Sequence, residues 1–177
     1  MDREKLERQM AALPIVQYIF FETEELVFTR RVRTVCETDC AQYGKSWACP
    51  PAVGTVEECR ARCLSYPHAL LITTMNEVAD IADLKATLAT RGDHEAVTRQ
   101  VNGFFRDQGI ETCPLSTESC AICEKCTYPH APCRCPEKMF PCVESQGILI
   151  TETAERYGID FQAGGNVVTW FSLILYR

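Results

Sequence analysis

No apolar run in these 177 residues approaches the roughly 20 needed to span a bilayer, and Met1-Asp2-Arg3-Glu4-Lys5 lacks the apolar centre of a signal peptide. The chain therefore reads as soluble and cytoplasmic, with no membrane partner. A basic stripe is missing too. The 18 Lys and Arg residues are scattered and the net charge is −6 with histidines neutral, so nothing offers a phosphate backbone an electrostatic footprint. No nucleic-acid partner is expected. Neither a G-x-G-x-x-G fingerprint nor a Walker lysine occurs, which removes the usual cradles for dinucleotides and nucleoside triphosphates. Internal repeats and low-complexity linkers are also absent. What remains, with 46% hydrophobic and 24% charged residues, is enough chain to bury one sizeable core. Residues 1–177 read as a single domain.

Cysteine is what the chain has in excess, at twelve residues. In a secreted chain of under about 100 residues they would suggest a disulfide framework, but here the expected compartment is reducing and the cysteines are clustered. Thiolates that stay reduced and sit together are read first as metal ligands. Buried cysteine also acts as a small hydrophobe, and that role serves Cys59, Cys63 and Cys113 equally well.

The pattern along the chain places the clusters. Leu6, Met10 and Leu13 recur at helical spacing before Pro14, which predicts a short helix over 3–13. The runs 15–21 and 26–32, rich in β-branched and aromatic residues and separated by Glu22-Thr23-Glu24-Glu25, predict a hairpin. From Cys36 to Pro51 the string C-E-T-D-C-A-Q-Y-G-K-S-W-A-C-P-P sustains neither helix nor strand and predicts an ordered loop. Thr55, followed by Glu57 and Glu58, opens a helix that puts Cys59 and Cys63 on one face and stops at Pro67. Residues 68–74 suit a buried strand, and 78–109 suit two helices broken near Arg91-Gly92-Asp93 and ended by Gly109. A second loop runs from Cys113 to Cys142, and 143–157 reads as a helix closed by Gly158. Ile159-Asp160-Phe161 and 167–176 flank Gly164-Gly165 as a hairpin whose last strand is apolar enough to lie centrally. The expected class is α+β: a mainly antiparallel sheet with helices packed on it and two cysteine-rich metal-binding loops.

The second loop holds the sharper chemistry. Cys120, Cys123 and Cys126 form a C-x2-C-x2-C run, whose thiolates at that spacing wrap one face of a cuboidal cluster, as in the opening of the bacterial ferredoxin motif. That motif continues with a cysteine after three residues, where this chain has His130, and the next cysteines are Cys133 and Cys135-Pro136. Zinc is the rival cofactor, since four thiolates, or three and the His130 imidazole, make a tetrahedral site. Zinc sites more often use two separated C-x2-C pairs, which favours a cluster. His68 and His94 lie far in sequence from either loop and receive no role.

The first loop supplies Cys36, Cys40 and Cys49. Its C-x3-C opening does not continue as a radical S-adenosylmethionine loop, because that pattern needs a cysteine where Tyr43 stands. Three cysteines suit a second cluster, either with a fourth ligand lent from elsewhere or with one iron open to a small molecule. Tyr43 and Trp47 could shield a cluster from water or pack as ordinary aromatics under the loop.

The strings Y-G-K-S-W-A-C-P-P at 43–51, C-A-I-C-E-K-C at 120–126, P-C-R-C-P-E at 132–137, P-C-V-E-S-Q-G-I at 141–148 and T-W-F-S-L-I-L-Y at 169–176 resemble an uncharacterised family of predicted metal-binding proteins of anaerobic prokaryotes. The resemblance covers nearly the whole chain. It implies metal ligands at Cys36, Cys40 and Cys49 and at Cys120, Cys123, Cys126 and Cys133, and it implies no established activity. Cys59, Cys63, Cys113, Cys135 and Cys142 look like additions, the family pattern having Ser where Cys142 stands. Candidates for the fourth ligand of each site are Cys135, Cys142, His130, Cys59 and Cys63.

Three functions follow as expectations. One is an electron-transfer or cluster-carrying protein holding one or two [4Fe–4S] clusters and serving a redox partner protein. Another is an enzyme or sensor whose open iron is served by Lys45 or Arg134, either of which suits an anionic ligand. The third is structural zinc organising a partner surface. A homodimer sharing a cluster is compatible with each.

Overall fold

The computed structural model describes residues 1–161 and 164–177. It begins with helix α1 (Arg3–Met10), capped by the Asp2 side chain, which accepts from the Lys5 amide. Leu6 and Met10 are buried, as their spacing predicts. Strand β1 (Gln17–Glu22) follows, but the hairpin expected with residues 26–32 does not form. A 3-10 turn at Thr23–Glu25 stops the strand, and Thr29 then caps helix α2 (Arg30–Thr38) by accepting from the Arg31 amide. Strand propensity mostly reports packing on a pleated surface, and β1 finds that surface in the distant strand β2 (His68–Glu77). Cys36 consequently sits on a helix and not in a loop.

Helix α3 (Val56–Leu64) opens with a reciprocal box: the Glu58 amide donates to Thr55 Oγ1 at 3.1 Å and the Thr55 amide to Glu58 Oε2 at 2.7 Å. Cys59 and Cys63 share its fully buried face, as expected. Helices α4 (Leu84–Ala89) and α5 (Arg91–Asp107) part at Thr90, close to the predicted break. Strand β3 (Thr112–Leu115) was not expected: it is four residues long and contains Pro114, tolerable because β3 lies at the sheet edge.

Residues 143–157 do not make one helix. A 3-10 turn at Glu144–Gln146 ends at Gly147, whose φ is +80°, and helix α6 (Ile150–Arg156) starts afterwards. The chain passes close to its neighbours here, because a Cβ on Gly147 would meet Val56 Cγ1 at 2.9 Å and the Thr29 carbonyl at 3.3 Å. Strand β4 (Val167–Tyr176) closes the fold. Its expected hairpin partner, residues 159–161, is not a strand; β4 pairs with β2 and β3 instead, and the expected turn includes residues 162–163, outside the described residues.

The sheet is antiparallel, in the order β1-β2-β4-β3, so the last strand is central as predicted. Its register pairs Leu70 with Ile174 and Leu71 with Leu173. Leu70, Ile72 and Ile174 pack with Leu6, Val101 and Phe105 of α1 and α5. On the opposite face Leu71, Leu173 and Leu175 pack with Cys63, Ile148 and Ile150. Each buried Leu or Ile contributes about 1.5–3 kcal/mol over an exposed one, and burial on both faces makes β2 and β4 continuous apolar runs. Between α5 and the sheet lies fully buried His94, with Nδ1 2.8 Å from Thr74 Oγ1 and Nε2 2.6 Å from Ser172 Oγ. Burial pushes its pKa down to about 4, so it is a neutral, hydrogen-bonded core residue.

Candidate metal centre

The second loop is pinned at its neck. The Ser116 amide donates to the Pro141 carbonyl and the Val143 amide to the Ser116 carbonyl, both at 2.9 Å. Inside the loop Arg134 donates to the Lys125 carbonyl at 2.9 Å, and Thr127 to the Pro132 carbonyl at 2.8 Å. Helix α5 holds it from beneath, where the Ala121 amide donates to buried Glu95 at 3.1 Å. The first loop closes over it through Trp47, whose Nε1 donates to the Ala131 carbonyl at 3.1 Å and whose ring meets Tyr128 edge-on with centroids 4.9 Å apart. Trp47 thus belongs to this site, while Tyr43 is exposed.

Between the two loops is a cavity of about 260 Å³ walled by Cys120, Cys123, Cys126, Cys133 and Cys135. Cys126 is the most prepared of these thiols. Burial raises its pKa, but the backbone N–H groups of Tyr128, Trp47 and Thr127 and the Ser46 hydroxyl point at its sulfur, and the net shift is downward. Hydrogen-bond donors around a sulfur favour the thiolate, the form that ligates metal. Cys120 is pushed up by burial, against an opposing hydrogen bond from the Ile122 backbone. Lys45, Arg91, Lys125 and Arg134 also line the cavity and offset thiolate charge. His130 is exposed and does not line it.

Cys36 lies on α2, Cys40 in the following turn, and both Cys49 and Cys142 are buried. The Cys142 amide donates to the Ala48 carbonyl at 3.2 Å, which sets it beside Cys49, and its thiol donates to Glu144 Oε2 at 2.8 Å. Arg33 ties the segments together by donating to the Gly54 carbonyl at 2.8 Å and the Ser145 carbonyl at 2.6 Å. Burial, then the neighbouring Cys40 and Cys36, push the Cys49 thiol up to about 12. Burial, Cys40 and Glu144 likewise raise Cys36; burial and Glu144 raise Cys142. Such thiols give up their protons together only to a cation placed among them. The Ser46 hydroxyl, which accepts from the Ala48 amide at 3.2 Å, lowers the pKa of both Cys49 and Cys126 in opposition to burial.

Cys59, Cys63 and Cys113 lie apart from both groups. Cys63 belongs to the core and Cys113 packs against it, while the Cys59 thiol donates to the Val53 carbonyl at 3.4 Å and accepts from Arg62 at 3.2 Å. Burial pushes Cys63 up to about 12. All three are enclosed by the core or by hydrogen bonds, and none of them lines the cavity between the loops.

The donors fit a thiophilic centre: soft thiolates select zinc, copper(I) or iron–sulfur clusters. Among the described residues no three Cys, His, Asp or Glu side chains already converge on one point as a single-ion site. The sequence missed Glu95, whose carboxylate holds the Ala121 amide, and Arg91 and Ser46, which line the cavity; all are remote in sequence from Cys120 and leave no mark in the spacing.

The fold and site together define a cysteine-rich α+β protein in which two loops meet around thiol-lined space. Over residues 20–176 the chain matches the family described as predicted metal-binding protein (DUF2284), and it belongs to that family. No curated protein and no solved structure matches it. Among the described residues no helix is long and apolar enough to cross a membrane.

Proposed function

We propose that the chain carries one or two [4Fe–4S] clusters and works as an electron carrier for a redox partner protein. The observation that supports this most is the cavity of about 260 Å³ walled by five thiols, one with several hydrogen bonds aimed at its sulfur. A single zinc draws its four thiolates to about 2.3 Å from one point and needs no such volume, whereas a cuboidal cluster separates its ligands. Cys120, Cys123, Cys126 and Cys133 would hold one cluster, with Cys36, Cys40 and Cys49 contributing to the other. A cluster bound there supplies reversible one-electron chemistry.

The remaining work belongs to the chain. Trp47 and Tyr128 cover the thiols and limit water, which is one lever on reduction potential. The hydrogen-bond donors around Cys126 lower its thiol pKa and so favour the ligating form, and the cations on the cavity wall offset the charge that accumulates. The test is anaerobic purification with absorption spectroscopy and assay of iron, zinc and acid-labile sulfide on one sample. Brown protein with roughly four or eight irons, matching sulfide and reversible bleaching by dithionite is the expected result. Colourless protein holding about one or two zinc ions sinks the proposal and makes the loops structural staples.

A further inference from the structure

Cys36, Cys40 and Cys49 supply three thiols to the first loop, a count that would leave one metal position open to a substrate. We infer that Cys142 is the fourth ligand of this centre, which makes it a closed four-thiolate site. The inference rests on the metal-binding reading of the first loop and deepens it.

Three geometric facts carry it. Cys142 lies at the neck of the second loop, in a bridge to Ser116, yet its amide donates to the Ala48 carbonyl at 3.2 Å, one residue before Cys49. The turn that follows, Glu144–Gln146, packs on α2, the helix bearing Cys36, and Arg33 of α2 donates to the Ser145 carbonyl at 2.6 Å. Thus the elements holding Cys36, Cys49 and Cys142 are hydrogen-bonded to one another, with Cys40 within the same stretch. The Cys142 side chain is also enclosed, so its sulfur has no water to compete with a metal. A cysteine buried merely as a hydrophobe would leave its thiol without a polar partner; the Cys142 thiol instead donates to Glu144 Oε2 at 2.8 Å.

Closure has a functional consequence. Four protein thiolates saturate the centre, which suits a carrier and removes the position a substrate would need. Cys135 remains the spare thiol of the other centre.

Two variants and two readouts test this. Cys142→Ala removes the donor, and Cys142→Ser keeps a donor of similar size that binds iron through oxygen. Far-ultraviolet circular dichroism confirms the fold of each. Cys142→Ala is expected to lose about half the metal of a two-centre protein, or to keep it with an altered electron paramagnetic resonance spectrum. Added 2-mercaptoethanol then shifts the spectrum of Cys142→Ala and leaves the wild type unchanged, because only the variant has an open position. An altered Cys142→Ser spectrum supports the assignment independently, even where Cys142→Ala fails to fold. The inference is overturned when both variants hold wild-type metal with wild-type spectra, or when 2-mercaptoethanol shifts the wild-type spectrum. Failure of the iron–sulfur reading looks different: the wild type itself then holds no iron, and the loss of zinc from the two variants still reads out the ligand.

Discussion

Glu95 is the residue by which the sheet-packed helix α5 grips the second cysteine loop, and removing it should weaken metal retention without unfolding the protein. The carboxylate is 4% exposed; Oε1 accepts the Ala121 amide at 3.1 Å and Oε2 pairs with Arg99 at 3.2 Å. A hydrogen bond to a charged acceptor is worth about 1.5–3 kcal/mol, and it anchors the residue between Cys120 and Cys123. Groups that orient metal ligands from behind typically cost 10–100-fold in affinity when lost, or about 1.4–2.7 kcal/mol. Glu95→Ala should therefore release metal from the second centre at about 10–100-fold lower chelator concentration than the wild type. Glu95→Gln keeps an oxygen for Ala121 and should recover most of that loss. The assay is chelator competition followed by absorption, with thermal unfolding run in parallel. Equal retention by Glu95→Ala and wild type would falsify the tether. A Glu95→Gln variant as weak as Glu95→Ala would assign the effect to charge and refute the hydrogen-bond argument.

His94 predicts a pH-dependent stability. Its folded pKa of about 4 lies below the ordinary 6.5, so above pH 6.5 neither state carries the proton. Below that pH the unfolded chain takes up a proton that the folded chain refuses, and stability falls by about 3 kcal/mol in all as pH drops towards 4. Urea midpoints of wild type and His94→Gln at matched metal loading should diverge across that window; parallel curves would dismiss the linkage. Gly147→Ala should cost about 2–4 kcal/mol, combining left-handed backbone strain with the clash against Val56. A lowered urea midpoint with an unchanged slope is the expected reading, and a change under about 0.5 kcal/mol would show that α3 yields more easily than the distances imply.

Periodicity carried the helices well because α1, α3 and α5 each bury one stripe, and Leu6, Met10, Val97 and Val101 occupy those stripes. The capping box at Thr55 and Glu58 was legible for the same reason: helix ends are decided within a few residues. Both expected hairpins failed. Residues 26–32 and 159–161 have apolar or β-branched neighbours, but strand pairing is a long-range choice, and β2 outcompetes the local candidates for β1 and β4. The split of 143–157 came from the contact of Gly147 with Val56 and Thr29, a tertiary event without a local signal beyond the glycine itself.

For the site, the C-x2-C-x2-C spacing anticipated that Cys120, Cys123 and Cys126 would line one space, because that run keeps its thiols close through local geometry. Sequence also set the class, since central strands buried on both faces must be apolar throughout and their composition records it. What only the tertiary structure decided was partnership across distance. The Cys142 amide meets the Ala48 carbonyl, Glu95 holds the Ala121 amide, and Trp47 reaches the Ala131 carbonyl, each pairing made between remote segments. Residues separated by tens of positions leave no periodicity between them, so their encounter is written in the packing and nowhere in the spacing.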